Sequence, residues 1–263
     1  MSAPQLETHE PAQVAGATKS NGTSMKAAVE LAKAPGSSSG PLQTPFTAPL
    51  PDVRTPTPSQ LTAQQESKYQ ELLAAVSAWT TIPTTSVKAG PAAQINDDER
   101  MWLTRECLLR YLRATKWNVN ESAKRLLATL TWRREYGLSD LTADYISPEN
   151  ETGKQVILGY DIAARPCLYL RPSQQNTQKS DRQIQHLVFM IERVIDLMVP
   201  GQDTMTLLCN FKDSSSGSNP SVGQGRQTLN ILQGHYPERL GRALITNGMF
   251  SLLLNIPRNG MHL

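Results

Sequence analysis

Met205-Thr206-Leu207-Leu208-Cys209-Asn210-Phe211 reads as a continuous apolar strand of the kind buried on both faces of a sheet. Downstream lie a Gly/Ser-rich loop, a helix over Val222–His235, and a further strand at Ala243-Leu244-Ile245-Thr246. Upstream, Ile184, Leu187, Val188, Ile191, Val194, Ile195 and Met198 recur at helical spacing until Pro200-Gly201 ends the pattern. Ser180 with Gln183 reads as the capping box that opens this helix. Strands alternating with helices imply parallel pairing and right-handed crossovers. Before the alternation, Gln155-Val156-Ile157-Leu158 and Pro166-Cys167-Leu168-Tyr169-Leu170 read as two more strands.

The residues ahead of these strands have a different texture. Asp97, Asp98 and Glu99 precede the run Met101-Trp102-Leu103-Thr104-Arg105-Glu106-Cys107-Leu108-Leu109-Arg110-Tyr111-Leu112-Arg113, and acids at its start with bases at its end suit one helix. Asn118 with Glu121 caps a second, whose apolar face is Val119, Ala123, Leu126, Leu127 and Leu130 and whose stop is Gly137. The fold class is therefore α/β: an all-helical N-terminal module over 97–142, then a mostly parallel sheet with crossover helices over 150–247. Residues 1–60, rich in Ala, Pro, Ser, Thr and Gly, are expected to be disordered because they bury too little apolar surface to offset ordering. A polar helix at 64–79 and a linker fill 61–96, so the folded part is expected to begin near Asn96.

The chain has 263 residues, 39% of them hydrophobic, and a formal charge of +3, a balance that gives no argument for nucleic acid. No stretch reaches the roughly 18 apolar residues that cross a bilayer, and no secretory signal opens the chain, so a cytoplasmic protein is expected. Cys107, Cys167 and Cys209 stand apart in apolar surroundings and read as buried free thiols, with no metal site. Phosphate loops, nucleophile elbows and HExxH pairs are absent, and Gly223-Gln224-Gly225 lacks the rest of a dinucleotide fingerprint. An enzyme is not expected, nor is a cofactor. His186 sits on the polar shoulder of its helix as a structural hydrogen-bonding residue, and His235 is read as packing. The ionic residues Arg110, Arg113 and Lys116, Asp161 and Arg165, and Glu238, Arg239 and Arg242 cluster at element ends, where solvation or structural ion pairing is their ordinary role.

Three phrases, in order, resemble one family. Leu109-Arg110-Tyr111-Leu112-Arg113-Ala114-Thr115-Lys116-Trp117, with the helix ending Trp132-Arg133-Arg134-Glu135-Tyr136-Gly137, resembles the N-terminal module of CRAL-TRIO proteins. Gly159-Tyr160-Asp161-Ile162-Ala163-Ala164-Arg165-Pro166 is similar to the hairpin that opens their lipid-binding domain, and His235-Tyr236-Pro237-Glu238-Arg239-Leu240-Gly241 to their most distinctive motif. Other phrases resemble the fungal phosphatidylinositol transfer proteins of the Sec-fourteen type, in the subgroup tied to azole tolerance. The resemblance implies an apolar cavity for one phospholipid and a gate that opens at a membrane. Two acyl chains with about 30 methylenes, at about 0.8 kcal/mol each, oppose exposure to water by roughly 25 kcal/mol, so a carrier must enclose them.

By position in the motifs, Glu238 and Asp161 are implied as headgroup residues, and Lys116 joins them because Thr115 stands where relatives often have arginine. The implied partners are phosphatidylinositol, with phosphatidylcholine or a sterol as an open second ligand, and transiently the surface of an endomembrane; a monomer is expected. The competing function is a lipid-sensing regulator or scaffold that supports phosphoinositide synthesis without net transfer. After Asn247 the family phrase is lost, and residues 248–263 are expected to be a non-family tail, a translated intron whose Gly248-Met249-Phe250 is compatible with a splice-donor sequence, rather than a natural short isoform. The lipid-binding domain is thus expected to be incomplete at its C-terminus.

Overall fold

Side-chain caps divide the helical half of the chain. In the computed structural model, which describes residues 46, 48–215, 217 and 221–247, α1 (Ala63–Ser77) starts at Thr62, whose hydroxyl accepts from Gln65 N in a capping box. Asn96 and Glu99 form a second box at the head of α2 (Asp97–Trp102). Thr104 caps α3 (Arg105–Ala114), and Asn118 caps α4 (Val119–Glu135). The single helix expected through 101–113 is therefore two: Leu103 leaves the helical region with ψ 48°, and the Thr104 hydroxyl restarts the chain by accepting from Cys107 N. Gly137, at φ 66°, supplies the left-handed residue that ends α4. Its expectation holds.

The folded part begins well before Asn96. Tyr69, Leu72 and Val76 of α1 are buried against Cys107, Leu108, Tyr111, Leu112 and Leu126 of α3 and α4. Residues 80–91, expected as linker, include β1 (Thr81–Pro83), which pairs antiparallel with β2 (Ala92–Gln94). Arg134 on α4 holds this hairpin: its guanidinium donates to the carbonyls of Ile82 at 2.9 Å and Gln94 at 2.7 Å while pairing with Glu99. A hairpin fastened by one distant arginine leaves no local apolar period to read. Of the extension expected to be disordered, the described residues ahead of Thr62 form neither helix nor strand, and Phe46 packs against Gly159. Residues 1–45 lie outside the described residues, as do 248–263.

A short 3-10 turn (Leu138–Asp140) and α5 (Ala143–Asn150) lead into the sheet. Its strand order is β3 (Gln155–Tyr160), β4 (Pro166–Leu170), β5 (Met205–Asn210), β6 (Leu240–Thr246). The β3–β4 pair is antiparallel, and β4–β5 and β5–β6 are parallel, joined through α6 (Arg182–Asp196) and α7 (Val222–His235). The α/β architecture is the one the alternation implies. Ile184, Val188, Ile191 and Val194 of α6 bury themselves with Leu168, Met205, Ile231 and Tyr236.

Three local expectations fail. The Ser180 capping box does not form: the Gln183 N–H donates to the Ser180 carbonyl rather than its hydroxyl, Gln183 Oε1 accepts from Gln224 Nε2 instead, and Asp181 opens α6 without a side-chain cap. His186 is fully buried rather than on a polar shoulder, with Nε2 3.4 Å from Asn150 Oδ1. In β5 only Met205 and Thr206 are buried, and the other four residues are half-exposed. Met205 and Leu207 pack with α6 on one side of the strand. On its other face the register aligns Tyr169, Leu208 and Leu244, and Leu244 is 48% exposed.

Because α1 contributes to the first core, Leu72→Ala should destabilise the protein by about 2–5 kcal/mol in denaturant unfolding. A loss below about 0.5 kcal/mol, the level of a surface change, would return α1 to the status of an appendage.

Candidate functional site

The β3–β4 hairpin turns on Asp161. Its Oδ1 accepts from the backbone N–H groups of Ala163 at 2.8 Å and Arg165 at 3.0 Å. Its Oδ2 accepts from Thr206 Oγ1 at 2.7 Å and Arg165 Nη1 at 3.3 Å. Burial pushes the carboxyl up, but these donors outweigh it and hold Asp161 below the ordinary carboxylate range. Both oxygens are thus committed to fastening the hairpin onto β5. Arg165 Nε continues the network to Thr204 Oγ1 at 3.0 Å, passing over Gly241, where any Cβ would lie 2.5 Å from that nitrogen. The glycine of the 235–241 phrase is required by this close approach.

Glu238 lies at the same end of the sheet, in the turn between α7 and β6. It adopts φ 56°, and its Oε2 accepts from Arg113 Nε at 2.5 Å. Arg113 Nη2 also reaches Asp203 Oδ2 at 3.1 Å. The Glu238 side chain is 38% exposed, so its ion pair contributes little to stability while the carboxylate stays open to a ligand. Asp203 and Thr204 are consecutive, which joins the Glu238–Arg113 pair to the Asp161–Arg165 network. Lys116 enters neither: it is exposed, at φ 54° just past α3, and its side chain forms no ion pair among the described residues. Arg113 is the cation that the structure gives to Glu238. In sequence it stands three residues ahead of Lys116 in the same phrase, among the ionic residues clustered at element ends.

The residues flanking Glu238 lock its turn to both halves of the molecule. The His235 ring stacks on Trp132 of α4, with centroids 4.1 Å apart and planes 5° apart, and its Nδ1 is 3.2 Å from Thr129 Oγ1. Tyr111 Oη donates to Thr129 Oγ1 at 2.8 Å and to the His235 carbonyl at 3.3 Å. Tyr236 Oη donates to Glu192 Oε1 at 2.7 Å, and Glu192 in turn holds Arg133 through two bonds of 3.0 and 3.2 Å. A second polar cluster, which the sequence did not signal, is the buried Lys154–Glu149 pair with Gln175 and Thr177.

The three thiols are free; burial pushes all of them up, Cys167 and Cys209 to about 11, though Cys209 is only half-buried. Among the described residues no group of His, Cys, Asp or Glu is placed to hold a metal, and no helix is long and apolar enough to cross a membrane.

A helical module, a mixed sheet packed by helices on one side, and a carboxylate–arginine pair at one end of the sheet define an α/β protein with a helical N-terminal part. Comparison with known proteins makes the class specific. The model of the CRAL/TRIO N-terminal domain matches residues 68–128, and that of the CRAL/TRIO domain matches 150–256, ending inside the 248–263 segment. The chain belongs to the CRAL-TRIO family.

It is 52% identical over 214 residues to a CRAL-TRIO domain-containing protein of Schizosaccharomyces pombe, a match covering 78% of this chain and 21% of that one. It is 45% identical over 165 residues to the phosphatidylinositol transfer protein PDR17 of Saccharomyces cerevisiae, covering 58% of this chain and 47% of the relative. The chain therefore spans less than half the length of either relative. The crystal structure of Sfh5 superposes with a TM-score of 0.51 at 14% identity, covering 74% of each chain, and shows the shared fold.

Burial holds the imidazoles of His186 and His235 neutral, lowering each from 6.5 to about 4, with Lys154 and Arg125 respectively adding to the effect. Below pH about 6.5 the unfolded chain takes up protons that the folded state refuses, so stability is full above that pH and falls toward about 4. Between pH 6.5 and 5, above where most carboxylates titrate, unfolding free energy should decline with acidity, and His235→Gln should reduce the slope. A flat profile for the unaltered protein would contradict the buried neutral assignment.

Proposed function

We propose that this chain carries the phosphatidylinositol-binding part of a lipid transfer protein that moves phospholipid between membranes without covalent chemistry. The observation that carries the reading is the sheet face opposite α6, where Tyr169, Leu208 and the 48% exposed Leu244 lie in register, with an accessible carboxylate–arginine pair at its end. Parallel sheets ordinarily have both faces covered, so acyl chains against this face and a polar headgroup at its end satisfy both surfaces at once. Support comes from the relative whose name is phosphatidylinositol transfer protein.

In this reading Glu238 accepts inositol hydroxyls, Arg113 and Lys116 offer positive charge to the phosphate, and Asp161 keeps the hairpin at the headgroup end in shape. Phosphatidylcholine or a sterol is the alternate cargo. The protein works as a cytoplasmic monomer that touches endomembranes transiently.

Glu238→Ala tests the site. In competitive loading from mixed vesicles, phosphatidylinositol uptake should fall about five- to a hundredfold relative to phosphatidylcholine, since a lost headgroup acceptor costs about 1–3 kcal/mol. Unfolding free energy should change by less than about 1 kcal/mol, because the ion pair broken is exposed. Equal loss of both lipids would make Glu238 a structural residue and remove the headgroup assignment.

A further inference from the structure

Where the helical module meets α6 and the 235–239 turn, a cavity of about 370 Å³ is lined by Arg110, Arg133 and Arg239 together with Trp102, Glu192 and Tyr236. That volume lies in the range of small-ligand sites. Its three guanidinium groups are not equivalent. Arg133 is neutralised by Glu192, which also accepts from Tyr236 and so has no charge to spare. Among the described residues the Arg239 side chain donates only to the carbonyl of Asp203 at 2.9 Å and to Met198 Sδ at 3.3 Å. Arg110 is 4% exposed, and its Nε has no hydrogen-bond partner and its side chain no ion pair among the described residues. Burial, followed by the proximity of Arg110, lowers Arg239 to about 10.

Two further carboxylates line the cavity, Asp98 and Asp196, but both are exposed, and Asp196 pairs with Arg193 at 2.9 Å. A buried cation without an acceptor is disfavoured unless a counter-charge enters with hydrogen bonds of its own. Two guanidinium forks facing one cavity match the oxygens of a phosphate better than those of a neutral ligand.

We propose that this cavity is an anion site in which Arg110 and Arg239 bind a phosphate group. It does not depend on the reading of the sheet face as a lipid surface, since neither Glu238 nor that face lines it. A soluble phosphate ester and the headgroup of a phosphorylated phosphoinositide present the same chemistry. Occupancy would stiffen the joint between helical module and sheet, because Arg110 belongs to α3 and Arg239 to the turn before β6.

Calorimetric titration of the full chain with inorganic phosphate, against chloride at equal ionic strength, tests the site. Saturable binding with a raised melting temperature is expected, and Arg110→Met and Arg239→Gln should each weaken it about tenfold or more. If Arg110→Met does not fold, Arg239→Gln and the phosphate–chloride comparison on the unaltered chain decide. Competition by phosphatidylcholine vesicles doped with a phosphatidylinositol monophosphate identifies a membrane headgroup as the source; binding of phosphate untouched by those vesicles identifies a soluble ester. Phosphate acting no better than chloride, or bound by both variants as tightly as by the unaltered chain, overturns the proposal.

Discussion

The turn at 235–239 is the joint on which the molecule depends. His235 stacks on Trp132 and Tyr236 reaches Glu192, so one segment of five residues touches the helical module on one side and α6 on the other. Arg239 then reaches the backbone carbonyl of Asp203, and Glu238 pairs with Arg113, which also reaches the Asp203 side chain. Stacked aromatics and buried hydroxyls with partners favour a single geometry over a sliding contact. Because β6 begins immediately after the turn, the position of the last described strand is set by the same contacts.

From that joint follows the asymmetry of the sheet. The helices α6 and α7 connect parallel strands, and α6 packs on the face formed by Leu168 and Leu170 with Leu207. On the reverse face Tyr169, Leu208 and Leu244 lie in register, and Leu244 is 48% exposed. Apolar side chains exposed on such a face are poorly matched to water, whereas a lipid surface removes the mismatch. The exposed Glu238–Arg113 pair and the cavity lined by Arg110 and Arg239 place two kinds of polar chemistry at the same joint.

Much of this was legible in the sequence, where period and motif coincide. The helix at 184–198 shows its apolar face in plain 3.6 spacing, and Asn118 and Gly137 mark the ends of α4. The pairing of Asp161 with Arg165 is local and was seen as a cluster. What escaped depends on distance along the chain. Tyr69, Leu72 and Val76 do have helical spacing, yet their polar surroundings hid that they complete a core with Leu108 and Leu112. The hairpin at 81–94 exists because Arg134, some 40 residues later, donates to its carbonyls. Lys116 follows from motif position beside Thr115, whereas only the three-dimensional turn shows that Arg113 is the cation facing Glu238.

Native mass spectrometry of the chain after incubation with mixed phospholipid vesicles tests the central claim most directly. One phosphatidylinositol per chain, enriched over its share in the vesicles, is the predicted result. A chain that emerges without bound lipid, or with phospholipids only in the proportions supplied, would contradict the assignment of the sheet face opposite α6 as a phosphatidylinositol surface.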